Sequence, residues 1–172
     1  MNGVVYTIGH SNHDPETLLR LLVQAGVEVL VDVRSNPGSQ WVSHVNRPDL
    51  ERLVSSVGIR YMFLGDTLGG KPNDQDCYDA LTGKPDYEAI QGKQYFKQGL
   101  LDLLETLKQY RVCIMCAEEN PATCHRNLLV AEALRRAGVR ILHVRGSGQI
   151  QTDDDLWKEK AGVAPSQLAL PM

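Results

Sequence analysis

The amino-acid sequence predicts an α/β domain built on a mainly parallel five-stranded sheet with helices on both faces. Short apolar or β-branched runs alternate along the chain with segments of helical periodicity, which is the pattern of repeated βαβ units. The runs "VEVLVDV" and "RVCIMC" are almost continuously apolar, as strands buried on both faces of a parallel sheet must be. A chain of 172 residues, 42% of them hydrophobic, supplies one sizeable core, whereas two domains would each be small. Residues 1–172 are therefore expected to form a single domain.

The elements follow in order. "VVYTI" is a β-branched strand, and "PETLLRLLVQAG" after it is a helix with Asp14 as its cap, Pro15 in its first turn and Gly26 at its end. "VEVLVDV" is the second strand and leads into the polar loop "RSNPGSQWVSHVN". A helix over "RPDLERLVSSVG" and a strand over "IRYMFLG" complete a second unit. Residues 66–94 lose periodicity and are rich in Gly, Pro, Asp and Lys. An irregular insertion of that length in a compact domain is expected to be functional, here a lid or specificity loop. "YFKQGLLDLLETLKQY" then places Leu100, Leu103, Leu104 and Leu107 on one helix face before the strand "RVCIMC". The helix "HRNLLVAEALRRAG" and the strand "VRILHV" follow. The tail 146–172 offers only a short helix around Asp153 to Lys160.

Composition narrows the function classes. A net charge of -3, with no Lys/Arg-dense face or tail, does not indicate a nucleic-acid partner, although a local basic pocket is compatible with it. No apolar stretch is long enough to span a bilayer, and the N-terminus lacks the pattern of a secretory signal. Four unevenly placed cysteines do not make a disulfide framework, so reduced thiols in the cytoplasm are expected.

Ligands of open parallel sheets bind at the carboxyl ends of the strands, and there the polar residues gather. His10, Ser11 and Asn12 follow the first strand; Asp32, Arg34, Pro37 and Ser39 end or follow the second; Cys116, Glu118, Cys124, His125 and Arg126 follow the fourth. Cys124 at a helix start beside His125 and Arg126 is a candidate for a thiol of lowered pKa, hence a nucleophile with His125 as helper; the alternative is a thiol packed on the sheet. Glu118 is expected in the pocket as acid-base group or ligand contact, and Glu119 as a structural or solvated carboxylate. Arg34 offers a fork for carboxylate or phosphate, or pairs with Asp32. Gly69, Gly70 and Lys71 form a turn without P-loop spacing, a weak phosphate signal. No metal is expected: Cys113 and Cys116 are three apart on a strand and face opposite sides. The sequence names no cofactor.

The motifs "IGHSN", "VDVRSNPGS", "LGG", "CAEENPATCHR" and "LHV", in this order up to about Val144, resemble the family called domain of unknown function 488. The resemblance implies that Gly9, His10, Ser11, Asp32, Arg34, Pro37, Ser39, Gly69, Gly70, Cys116, Glu118, Cys124, His125 and Arg126 are the family positions; it implies no known reaction. A more distant similarity links "VLVDVR" and the strand–loop–helix–strand order to rhodanese-like sulfurtransferases, with Cys116 in the persulfide position. The fold is accordingly expected to be a rhodanese-like or flavodoxin-like three-layer sandwich. The continuation "AEENP" departs from the rhodanese anion cradle by adding two carboxylates and a proline, and Ala122 stands where a Cys-x5-Arg phosphatase needs arginine.

The expected function is that of an enzyme, a hydrolase or transferase by reaction class, acting on a small polar, anionic or nucleotide-like molecule through the Cys/His/Glu/Arg cluster. The alternatives are a non-catalytic ligand-sensing module and a rhodanese-like sulfurtransferase.

Overall fold

The computed structural model of the chain describes residues 3–162. Six strands form one sheet: β1 (Val4–Gly9), β2 (Val29–Asp32), β3 (Arg60–Phe63), β4 (Val112–Cys116), β5 (Arg140–Val144) and β6 (Ile150–Thr152), in the order β3-β2-β4-β1-β5-β6. The first five are parallel, and β6 runs antiparallel to β5. The expected mainly parallel α/β sheet is therefore present, with one strand more than the five anticipated. β6 spans three residues of a polar tail, too few to show a period. The strand order also differs from the 2-1-3-4-5 order of flavodoxin-like sheets.

The helices are α1 (Pro15–Gln24), α2 (Arg47–Ser55), α3 (Gly65–Leu68), α4 (Tyr87–Gln91), α5 (Gln94–Leu107), α6 (Glu132–Arg136) and α7 (Asp153–Lys160). α1 starts where the sequence places it: the Asp14 carboxylate accepts from the Thr17 N–H at 2.7 Å, and Pro15 opens the helix. α7 starts with a reciprocal Thr152–Asp155 capping box. α6 continues a π-helical turn, Arg126–Ala131, that no sequence pattern announced. No helix among the described residues is long and apolar enough to cross a membrane.

Connection handedness decides which face each helix covers. The steps β1→β2 and β2→β3 move one way along the sheet, and β3→β4 and β4→β5 move the other. Right-handed crossovers then put α1 and α2 on one face and α5 and α6 on the opposite one. The core divides accordingly. Leu18, Leu21, Leu22, Leu50 and Val54 pack with Ile8, Leu30, Cys113 and Met115, while Phe96, Leu103, Leu129 and Leu134 pack with Val31, Ile114, Cys116 and Ile141. Each fully buried leucine contributes about 2 kcal/mol of apolar burial. Cys113 and Cys116 fall into different halves of the core, as strand alternation requires.

Segment 66–94 contains α4, most of α3, a short 3-10 turn and an isolated bridge between Tyr78 and Pro85. It is less irregular than its composition suggests. Leu68, Cys77 and Ile90 are fully buried and anchor it to the α5 side of the core. Only the first part of the tail, through Gly162, belongs to the described residues; the rest of 146–172 lies outside them.

Candidate functional site

β1, β2 and β4 lie side by side and end at the same edge. The chain leaves β2 toward the α2 face and leaves β4 toward the α6 face, so the backbone parts above their carboxyl ends. A crevice results, as expected at a topological switch point. It holds a pocket of about 560 Å³ whose wall includes His10, Arg34, Ser39, Gly70, Lys71, Cys116, Glu118, Cys124 and His125.

Cys116, Cys124 and His125 form the floor. The sulfurs of Cys116 and Cys124 are in bonding contact as a disulfide, with their Cα atoms 7.7 Å apart, and both residues are buried, so in this state neither is the free thiol expected from the sequence. Cys124 has an extended backbone and its carbonyl accepts from the N–H groups of Asn127 and Leu128. It thus occupies the helix cap, one step before the first turn in which the sequence places it. His125 Nε2 lies 2.9 Å from the Val33 carbonyl oxygen, which can only accept, so Nε2 carries the proton and Nδ1 keeps its lone pair. Burial, above all, holds the His125 pKa below its ordinary value. Its ring lies against Gly70, where a Cβ would come within 2.8 Å of the histidine Cβ and Cγ. Glycine at position 70 is what lets segment 66–94 close over the imidazole.

Beside the floor stands a buried polar cluster. Arg34 donates from Nε to Asp32 Oδ1 at 2.9 Å and from Nη2 to Asp32 Oδ2 at 2.8 Å and to the Val45 carbonyl at 2.7 Å. Tyr61 adds an O–H donor to Asp32 Oδ2 at 2.6 Å, and its pKa is raised by its own burial and by that carboxylate. His10 Nδ1 faces the Ser11 carbonyl oxygen at 2.9 Å, which leaves Nε2 to accept from Arg34 Nη1 at 3.3 Å. Burial first, and Arg34 in addition, depress the His10 pKa. The cluster ties the ends of β1 and β2 together. The Arg34 fork is spent on Asp32, so the internal pair that the sequence allowed as an alternative is the arrangement present.

Arg126 organises the other side and is fully buried. Its Nη1 donates to the Glu118 carbonyl at 2.5 Å, its Nη2 to the Glu119 carbonyl at 2.9 Å and its Nε to Thr7 Oγ1 at 3.2 Å; Nη1 also lies 3.4 Å from Cys116 Sγ. Thr7 Oγ1 is 2.8 Å from His143 Nδ1, and His143 Nε2 is 3.1 Å from Asp153 Oδ1. The directions are forced. The Asp153 carboxylate only accepts, so His143 donates from Nε2, accepts from Thr7 at Nδ1, and Thr7 in turn accepts from Arg126. Burial lowers the Arg126 pKa to about 10, which still leaves it charged at neutral pH.

The two adjacent glutamates have different surroundings. Glu118 is exposed on the pocket wall and accepts from Thr123 Oγ1 at 3.0 Å. Glu119 turns away and accepts from Arg145 Nε at 2.9 Å, Arg145 Nη2 at 3.1 Å and the Gly146 N–H at 3.0 Å. Arg145 chiefly holds its pKa down to about 2 against the opposing effect of burial. A depressed carboxyl pKa stabilises the fold fully above the unfolded value, near 4.5, and the contribution disappears as pH falls through about 2. With 34% of the side chain exposed, solvent screening reduces this to about 1–2 kcal/mol. Urea unfolding of Glu119→Gln should therefore show that loss at about pH 6 and little difference from wild type at about pH 2. Equal losses at both would contradict the linkage.

Among the residues expected at the site, Ser11, Asn12, Asp32, Pro37, Gly69 and Arg126 do not line the pocket. Asp32 and Arg126 lie beneath it as supports, and Gly69 lines a neighbouring, smaller pocket. Ser39 turns its hydroxyl to the Val42 N–H. Ser35, Asn36 and Gly38, from the loop that follows β2, also line the wall, as do Asn73, Pro85, Tyr87 and Ala117, none of them among the site residues expected from the sequence. Ser35 and Ala117 directly follow residues that were singled out on the same strand ends, a signal that was legible; Asn73, Pro85 and Tyr87 come from a segment whose path has no local signature.

No curated protein matches the chain. The sequence model of one family, described as domain of unknown function DUF488, matches residues 14–143. That span begins just past His10, Ser11 and Asn12 and includes the rest of the pocket wall, the floor and the arginines that support it. Covering most of the chain and nearly all of the crevice, the match shows that this protein belongs to the DUF488 family.

Proposed function

We propose that the protein is an enzyme that binds a small anionic or nucleotide-like molecule in the crevice and acts on it at the Cys116–Cys124–His125 floor. The observation that carries this reading is the convergence of three strand ends and segment 66–94 on one space of about 560 Å³. That volume suits a small ligand. Exposure on the wall and the hydrogen bond from Thr123 support Glu118 as the group that carries a proton. Lys71 is the cation for the anionic part. Its backbone N–H is fixed by Ser35 Oγ at 2.9 Å, it is exposed, and the lysine ion pairs among the described residues belong to Lys93 and Lys108. Arg34 and Arg126, by contrast, have their donors committed within the fold.

A rhodanese-type reaction is less well supported. The loop after Cys116 turns the Glu118 and Glu119 carbonyls onto Arg126 and places a carboxylate on the pocket wall, where an anion cradle needs N–H donors.

Thermal-shift titrations with inorganic phosphate and nucleoside phosphates test the binding step. At least one should stabilise the wild type, and Lys71→Ala should weaken that ligand by about tenfold or more, the worth of one charged hydrogen bond. Stabilisation by none of them, or equal stabilisation of Lys71→Ala, would remove the anion site from the reading. Ligand binding without turnover would make the pocket a sensing site.

A further inference from the structure

We propose that Cys116, Cys124 and His125 form a binding site for a divalent transition ion of the zinc class, with one coordination position open to the crevice. One ligand atom from each residue lies within 4.8 Å of the other two. The sequence points away from metal because Cys113 and Cys116 face opposite sides of the sheet, and that remains true of those two. The fold supplies a different pair by bringing the helix cap at Cys124 over the end of β4.

Three further features fit an ion. The Cα atoms of Cys116 and Cys124 are 7.7 Å apart, beyond the roughly 4.4–6.8 Å usual for a disulfide, so once reduction releases the contact between their sulfurs the two thiolates are free to share one ion. His125 donates from Nε2 to the Val33 carbonyl, the outer contact that fixes a metal-binding imidazole, and this leaves the Nδ1 lone pair as the ligand. Two sulfurs and one nitrogen make a borderline-soft donor set suited to zinc, and three protein ligands leave the fourth tetrahedral position vacant. All three residues line the crevice, so that position opens onto its space.

Arg126 Nη1, 3.4 Å from Cys116 Sγ, selects the fourth ligand. It repels a divalent ion, but two thiolates outweigh it. Thiolates, ion and guanidinium together leave one net positive charge at the floor, which favours hydroxide or an oxyanion of a bound molecule. Metal binding stands on the cluster alone, while the preference for an oxyanion in the crevice rests on the function proposed above.

The test uses the full chain, reduced and stripped of metal, titrated with cobalt(II). The expected result is saturation at one equivalent, with an intense thiolate-to-cobalt charge-transfer band and tetrahedral visible bands that zinc displaces. Cys116→Ser and Cys124→Ser should each weaken cobalt binding at least tenfold and diminish the charge-transfer band, whereas Cys113→Ser should match the wild type. X-ray absorption of zinc-loaded wild type needs no variant and should show two sulfur neighbours at about 2.3 Å and nitrogen at about 2.0–2.1 Å. Absence of the charge-transfer band, an unchanged spectrum in Cys116→Ser, or absence of sulfur neighbours would each overturn the proposal. Phosphate or nucleotide stabilisation of the metal-free protein, measured in parallel, reports on the crevice independently of the ion.

Discussion

Replacing Arg126 by methionine is expected to lower the melting temperature by about 10–15 °C and to unseat the loop that follows β4. The methionine fills much of the same volume but donates nothing. The Glu118 and Glu119 carbonyls and the Thr7 hydroxyl each lose a charged donor in a region where Arg126 itself is fully buried. A buried acceptor left without a partner costs about 1–3 kcal/mol. Relief from burying a guanidinium offsets part of the sum, leaving a net loss of about 3–5 kcal/mol. Because one residue holds both glutamate carbonyls, Glu118 should lose its position over the pocket together with the stability. Arg126→Lys, which can reach one acceptor but not all of them, should fall between. A melting temperature within about 3 °C of wild type for the methionine variant would show that the loop is held by other contacts.

Asp32→Asn should be nearly as damaging, although it changes one atom. The carboxylate is fully buried and accepts from Arg34 Nε, Arg34 Nη2, the Arg34 backbone N–H and Tyr61. An amide cannot neutralise Arg34, which stays buried and charged; breaking a buried pair from one side costs about 3–5 kcal/mol. The double variant Asp32→Leu/Arg34→Met should recover much of this loss, since an apolar pair of similar bulk removes both charges together. Denaturant unfolding of Asp32→Leu, Arg34→Met and the double variant gives the coupling. Additive losses would mean that Asp32 and Arg34 act separately, with the aspartate's role lying elsewhere.

These two residues also show how far the sequence could be read. Asp32 and Arg34 stand out as polar residues closing an apolar strand, and that pattern placed them correctly at the sheet edge. Whether such an arginine reaches out to a ligand or folds back on the aspartate depends on χ angles and on Val45 and Tyr61, which arrive from other elements. The large elements were legible because apolar period and caps are local: Asp14 caps α1, and α7 spans Asp153–Lys160. β6 was not, being three residues long, nor was the π turn, whose six residues read as ordinary helix. The floor of the crevice was half legible. Cys116, Cys124 and His125 were each singled out, but their meeting depends on how the loop from Ala117 to Thr123 folds back, and Arg126 decides that.

The placement of β1 bears on the order in which the molecule can assemble. Tyr6 pairs in register with Cys113 on one side and Leu142 on the other. The first strand of this sheet in chain order is thus central to it and has no lateral partner until more than a hundred residues have followed it. On a ribosome adding about 5–20 residues per second, an apolar strand waits several seconds for its neighbours, and contacts so distant in sequence form slowly. The pocket floor shares that delay, since the His10 N–H reaches the Cys116 carbonyl only when β1 has seated beside β4. A nascent chain arrested before β5 emerges would hold the thiols of Cys116 and Cys124 without the complete sheet that buries them. Alkylation of Cys116 and Cys124 should therefore be faster in ribosome-bound chains arrested before β5 than in the folded protein.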